Sequence, residues 1–115
     1  MTDIPLLPEF LQFLTTGEDQ AGAIAPHLHA EFNFPNTYFA IDGNVAFKTL
    51  RDQVSEDDWR FTVQRAEPTP RGFVVEGPHE ETAVGGGQVR SRTLSLVTVD
   101  AGQITEVAHY CTGAV

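Results

Sequence analysis

The chain has 115 residues and a mass of 12.6 kDa, which fits one domain spanning 1–115 and is long enough to bury roughly two-thirds of the surface exposed on unfolding. A composition 41% apolar and 20% charged is that of a globular protein rather than a disordered one. Sixteen acids against seven bases give a net charge of −9, with Lys48 the one lysine, which argues against a nucleic-acid partner and against an anionic membrane.

The opening stretch, MTDIPLLPEFLQFL, has no basic n-region and carries Asp3 and Glu9 among its leucines. Neither a signal peptide nor an anchor is expected there, and a cytoplasmic location is. No run approaches the length of a membrane-spanning helix. Cys111 is the single cysteine, so no internal disulfide is expected. The acidic, lysine-poor composition suits a bacterial source.

Leu7, Phe10, Leu11 and Leu14 follow the spacing of one buried helical stripe, with Asp3 as cap and Gly17 as stop. A second helix is predicted over Gln20–His29, with Ile24, Ala25 and Leu28 inward and Pro26 as an awkward interior residue. Phe32 and Phe34 then alternate with Glu31 and Asn33 as a short strand, stopped by Pro35. A third helix fits Asn44–Val54, closed by the acidic turn Ser55-Glu56-Asp57-Asp58.

From Trp59 the apolar period changes from near 3.6 to 2. Trp59, Phe61 and Val63 alternate with polar residues, and Glu67–Gly72 reads as a turn. Strands are predicted over Phe73–Ala83, Val89–Val99 and Gln103–Cys111, with turns at Gly85-Gly86-Gly87 and Asp100-Ala101-Gly102. Helices first and hairpins after them predict an α+β fold, three N-terminal helices packed in a strongly curved antiparallel sheet.

This order, together with the ending Asp100-Ala101-Gly102-Gln103-Ile104-Thr105-Glu106-Val107-Ala108-His109-Tyr110, resembles the nuclear transport factor 2-like superfamily and, more narrowly, its SnoaL-like members. Their last hairpin has a D-G-x-I turn leading into a strand that ends on an aromatic residue. Leu28–Pro35 is a second, looser match. The resemblance implies a cone-shaped barrel with an apolar pocket, found in ketosteroid isomerases, epoxide hydrolases, polyketide cyclases, dehydratases and non-enzymatic binding domains. It also implies a homodimer through the outer sheet face, for which Val89, Val97 and Val99, with Thr93 between them, are the expected surface.

Fold alone does not choose among these activities. The hydrolase branch has an acid immediately before the terminal aromatic, where this chain has His109. It also has an Arg and an Asp two apart on the second long strand, where this chain has Gly77 and His79. Its triad is therefore absent in this alignment. What remains is a polar group predicted inside a greasy cavity: His79 and His109 as acid and base, with Glu81 and Arg92 beside them. Arg92 is placed on the pocket face with Leu94 and Leu96, and Tyr38 and Trp59 at the mouth, where a flat ligand would stack.

Each has a plainer explanation. Inward histidines are often core residues satisfied by a carbonyl, and Glu81 with Arg92 can be a structural ion pair. His27-Leu28-His29 looks like a metal pair, but on a helix residues two apart face different ways, so no metal is expected. Cys111 reads as a small buried thiol. No phosphate-loop or dinucleotide motif is present, so no cofactor is expected. Two readings stay open: a cofactor-free enzyme of proton transfer (cyclisation, isomerisation or dehydration) on a small apolar ligand, and a non-catalytic ligand-binding or dimerisation domain.

Overall fold

A computed structural model describes residues 4–16, 18–19, 22–35, 37–52, 59–82 and 87–114. Helix α1 spans Leu7–Thr16 and buries Phe10, Phe13 and Leu14, the stripe expected from the spacing. In its last turn the Thr15 and Thr16 hydroxyls donate to the carbonyls of Leu11 and Gln12. Both oxygens of the Asp19 carboxylate then accept the N–H groups of Ala23 and Ile24, at 2.8 and 2.9 Å, and fix the start of strand β1.

The remaining elements are β1 (Ile24–Phe34), β2 (Thr37–Asp42), α2 (Asn44–Asp52), β3 (Trp59–Phe61), β4 (Arg65–Thr69), β5 (Gly72–Thr82), β6 (Gln88–Asp100) and β7 (Gln103–Ala114). The sheet runs β2-β1-β7-β6-β5-β3, with β4 also paired to β5. β1 lies parallel to β7 and the other pairs are antiparallel, so the sheet is mixed, not wholly antiparallel. It is strongly curved and unclosed around the helices, as the cone expectation requires.

Two helices, not three, are found among the described residues. The predicted helix over Gln20–His29 is β1 from Ile24 onward. Its alanines favour helix locally, but an isolated turn or two of helix is marginal, and pairing with β2 on one edge and β7 on the other satisfies the two alternating sets of backbone groups instead. Pro26, exposed, sits where the β1–β7 register shifts between Ile24 and His29, a place that tolerates a missing N–H. Thr37–Asp42 is a strand that the sequence reading left unassigned. The cluster Glu67–Gly72 is a turn only at Pro70 and Arg71, because Glu67–Thr69 belong to β4. Asp3, Gly17, Val54 at the end of the predicted third helix, the acidic turn at 55–58, Ala83 and Gly85-Gly86 lie outside the described residues.

The core is Phe10, Phe13 and Leu14 of α1, Phe47 of α2, and Leu28, Ala30, Phe73, Val75, Val97, Ile104 and Val107 from the sheet. Each large side chain buried this way contributes about 1.5–3 kcal/mol. Aromatic rings join the layers: Phe10 meets Phe73 edge-on at 5.7 Å, and Phe13 stacks on Phe47 at 4.5 Å.

Candidate functional site

Alternation along paired strands sorts every side chain to one face of the sheet. The register joins Phe73 to Val97 and Val97 to Val107, an apolar row. The next row joins Val75, Ser95, His109 and Phe32. Beyond it Gly77 pairs with Thr93, Thr93 with Cys111, and His79 with Ser91. All these residues share the inner face, which grades from apolar at one end to polar at the other.

His79, Ser91, Thr93, Ser95 and His109 are the buried polar residues among those described, and all five belong to this patch. His79 and His109, 7% and 5% exposed, are both buried on this inner face, two strands apart, the face that strand parity predicts for each. The small hydroxyls were not singled out in the sequence. Their signal was there: Ser91, Thr93 and Ser95 recur with period 2 on the strand beside His79.

The Ser95 hydroxyl lies 2.8 Å from Nδ1 of His109, and both groups are buried. Thr93 donates its hydroxyl to the Gly77 carbonyl at 3.2 Å. The Phe32 ring lies 5.8 Å from the His109 ring, tilted by 54°. Burial first, and then the nearby His79, push the His109 pKa down from 6.5 to about 4, so His109 is neutral at pH 7.

The other predicted site residues are elsewhere. Arg92 is exposed on the outer face, because β6 turns Ser91, Thr93, Ser95 and Val97 inward and Arg90, Arg92, Leu94 and Leu96 outward. Tyr38 is 60% exposed on β2, opposite Asn33 on the outer face, not at the interior mouth. Trp59 and Glu81 face each other across β3 and β5 by backbone pairing, and their side chains lie outside the described residues. The surface expected for a dimer is corrected in the same way: Val97 and Thr93 are buried inside. The outer face carries Leu94, Leu96, Ala108 and Tyr110 instead, with Leu96 and Tyr110 44% and 43% exposed.

On that outer face His29 lies between two carboxylates, Nδ1 at 2.6 Å from Asp42 and Nε2 at 3.2 Å from Glu31. Those hydrogen bonds, Asp42's above all, raise its pKa. Beside it is a groove of about 690 Å³ lined by Glu31, Leu96, Thr98, Glu106 and Ala108 among others, away from the histidine pair. Both nitrogens of His29 are thus engaged, and among the described residues no three His, Cys, Asp or Glu side chains are grouped to hold a metal.

The chain matches no protein-family model and no curated protein. Its fold has clear counterparts among solved structures: it is the nuclear transport factor 2-like fold. A hypothetical protein from Catenulispora acidiphila, with a ketosteroid isomerase-like fold and in complex with trimethylamine, superposes with a TM-score of 0.76 at 10% identity, over 96% of this chain and 88% of that one. A protein from a Jannaschia species described as a "Putative SnoaL-like polyketide cyclase" gives 0.72 at 14% identity, over 96% and 89%. A nuclear transport factor 2-like protein from Anabaena variabilis gives 0.67 at 21% identity, over 92% and 83%.

Proposed function

We propose that this protein is a cofactor-free proton-transfer enzyme acting on a small, hydrophobic, carbonyl-bearing metabolite, by cyclisation, isomerisation or dehydration, with His79 and His109 as its acid–base pair. The observation that carries this reading is the pair itself: two imidazoles buried with three hydroxyls at one end of an otherwise apolar interior. Polar groups are costly to bury, and a fold that needed only a core would place aliphatic residues there. A neutral imidazole can accept a proton at one ring nitrogen and donate a hydrogen bond from the other without first shedding a charge. The likeness to a SnoaL-like polyketide cyclase and to a ketosteroid isomerase-like fold agrees with such chemistry.

A thermal-shift screen against flat apolar carbonyl compounds, such as 1-tetralone and anthrone, tests the reading. A compound at a hundredfold excess over its Kd should stabilise the protein by about 2.7 kcal/mol. Binding followed by turnover supports the enzyme, whereas silence across a broad panel defeats it. Binding without turnover favours a second reading, a ligand-binding domain. The other non-catalytic reading, a dimerisation domain, has on its side the run of rings inside the cone, in which Phe32 stacks on Phe39 at 4.8 Å and meets Phe47 at 6.1 Å, taking up space a ligand would need.

We also propose a homodimer through the outer face. Leu94, Leu96, Ala108 and Tyr110 form an apolar stripe on this face, with Asp42 and Glu106 toward one end and Arg92 and the Arg90–Glu80 ion pair toward the other. Antiparallel apposition of two copies lays one apolar stripe on the other. Sedimentation should give about twice the 12.6 kDa chain mass for the wild type. Leu96→Arg, at a half-exposed position, should give the monomer. A wild type that sediments as a monomer refutes the interface.

A further inference from the structure

We infer that Ser95 is a positioning residue: its hydroxyl holds His109 in the tautomer with the proton on Nε2, which makes His109 the hydrogen-bond donor to the substrate oxygen and leaves His79 as the base. This rests on the proposed function for the roles in catalysis, but the tautomer itself stands on geometry alone.

Ser95 is fully buried, and its Oγ lies 2.8 Å from Nδ1 of His109. A hydroxyl can donate to a bare Nδ1 or accept from a protonated one. The choice is made by what else is near. Among the described residues, Nδ1 is the hydrogen-bond partner found for the Ser95 hydroxyl, with no second acceptor for its proton. If Nδ1 carried the hydrogen, the hydroxyl proton would be buried without an acceptor, the costly arrangement for a polar group. With the proton on Nε2, the hydroxyl donates to Nδ1 and both groups are satisfied.

The register makes this arrangement rigid. Ser95 pairs directly with His109 on one side and with Val75 on the other, so the two side chains leave adjacent strands from opposed positions on the same face. Phe32, paired with His109 from β1, lies against the ring on its far side. The imidazole is therefore held at Nδ1 and along its edge, and Nε2 is the ring nitrogen left to meet a ligand.

A neutral N–H donor suits a carbonyl oxygen that gains negative charge as the reaction proceeds. His79 would take the proton from the carbon beside the carbonyl, while the C–H electron pair forms the enolate and charge builds on the oxygen. His109 Nε2–H would hold that oxygen, and the His79 imidazolium would return its proton to the substrate, so no proton or electron is lost. The division also suits the electrostatics of two nearby imidazoles, because a positive His79 is better tolerated beside a neutral His109 than beside a second cation. The ligand class follows: a small molecule with a carbonyl or phenolic oxygen, not one led by an ammonium group.

Two-bond nitrogen–proton correlation spectra of the uniformly ¹⁵N-labelled free protein at pH 7 test the tautomer, with the His109 signals assigned by their loss in His109→Phe. Nδ1 should resonate as an unprotonated, pyridine-type nitrogen and Nε2 as a protonated, pyrrole-type one. Ser95→Ala should shift His109 toward a mixture of tautomers, and Ser95→Thr, which keeps the hydroxyl, should restore the wild-type pattern. A protonated Nδ1 or an even mixture in the wild type overturns the inference, whether or not the Ser95 variants fold. Because no substrate is needed, that result would leave the proposed function open, and failure of the ligand screen would leave the tautomer standing.

Discussion

His109→Phe should lower turnover by at least about a hundredfold, the lower end of what either a hydrogen-bond donor to a developing oxyanion or a positioned acid or base contributes, while the fold persists. Phenylalanine fills the same inward strand position, against Phe32, with apolar bulk. A second readout needs no substrate. The folded protein holds the His109 pKa at about 4, below its ordinary 6.5, so between those values the unfolded chain binds the extra proton and the folded one does not. Wild-type stability therefore falls as the pH drops from 6.5 to 4, by on the order of 3 kcal/mol, and falls no further below that on account of this group. His29 works the other way. Its raised pKa gives a contribution that is present below pH 6.5 and lost as the pH rises through its folded value. Urea denaturation of both proteins from pH 7.5 to 4 isolates the His109 effect, because His29 is common to them. The wild type should lose stability relative to His109→Phe across that window, and a constant difference would show that His109 is not buried neutral.

Gly77→Ala should be among the most damaging single-methyl changes in the chain. A Cβ at this position would overlap the Thr62 carbonyl oxygen and stand 3.1 Å from the Gln64 nitrogen. Both are backbone atoms, so no rotamer change relieves the clash. Thr62 and Gln64 bridge β3 and β4 across β5 through N–H bonds to the carbonyls of Pro78 and Glu76, at 3.0 and 2.9 Å. Relief requires that segment to lift away and break those bonds. A cost of about 3 kcal/mol follows, and with it a fall in Tm of roughly 15 °C. Ligand binding should suffer as well, because His79 pairs with Phe61 on the same displaced segment. Gly87→Ala is the control: nothing lies within 4 Å of its Cβ, and it should melt within a degree or two of the wild type. Equal melting of the two variants would show that the close approach at Gly77 is not needed for the fold.

Much of the architecture was legible in the chain itself. The stripe of α1, the helix from Asn44 and the three long hairpin strands each carry a periodic pattern that local backbone geometry enforces, and their ends lie within a few residues of those expected. The end of β1, Glu31–Phe34, was legible from its alternation, but its first part was not, because Ala23, Ala25 and Ala30 suit a helix as well as a buried strand. Its strand state depends on β2 and on the parallel partner β7, about eighty residues away in sequence, and no local window contains that contact.

The site divides in the same way. Period 2 determined from sequence alone that His109 shares a face with Val107, and His79 with Val75 and Gly77. On β6 both faces mix apolar and polar residues, and the pattern read from sequence placed Arg92 inward with Leu94 and Leu96, where the structure places Ser91, Thr93 and Ser95. Only the tertiary structure decided this, by the register that sets Ser91 against His79 and Ser95 against His109. The physical reason is desolvation: a small hydroxyl can be buried if one neighbour completes its hydrogen bond, whereas a guanidinium brings a full charge and keeps it in water.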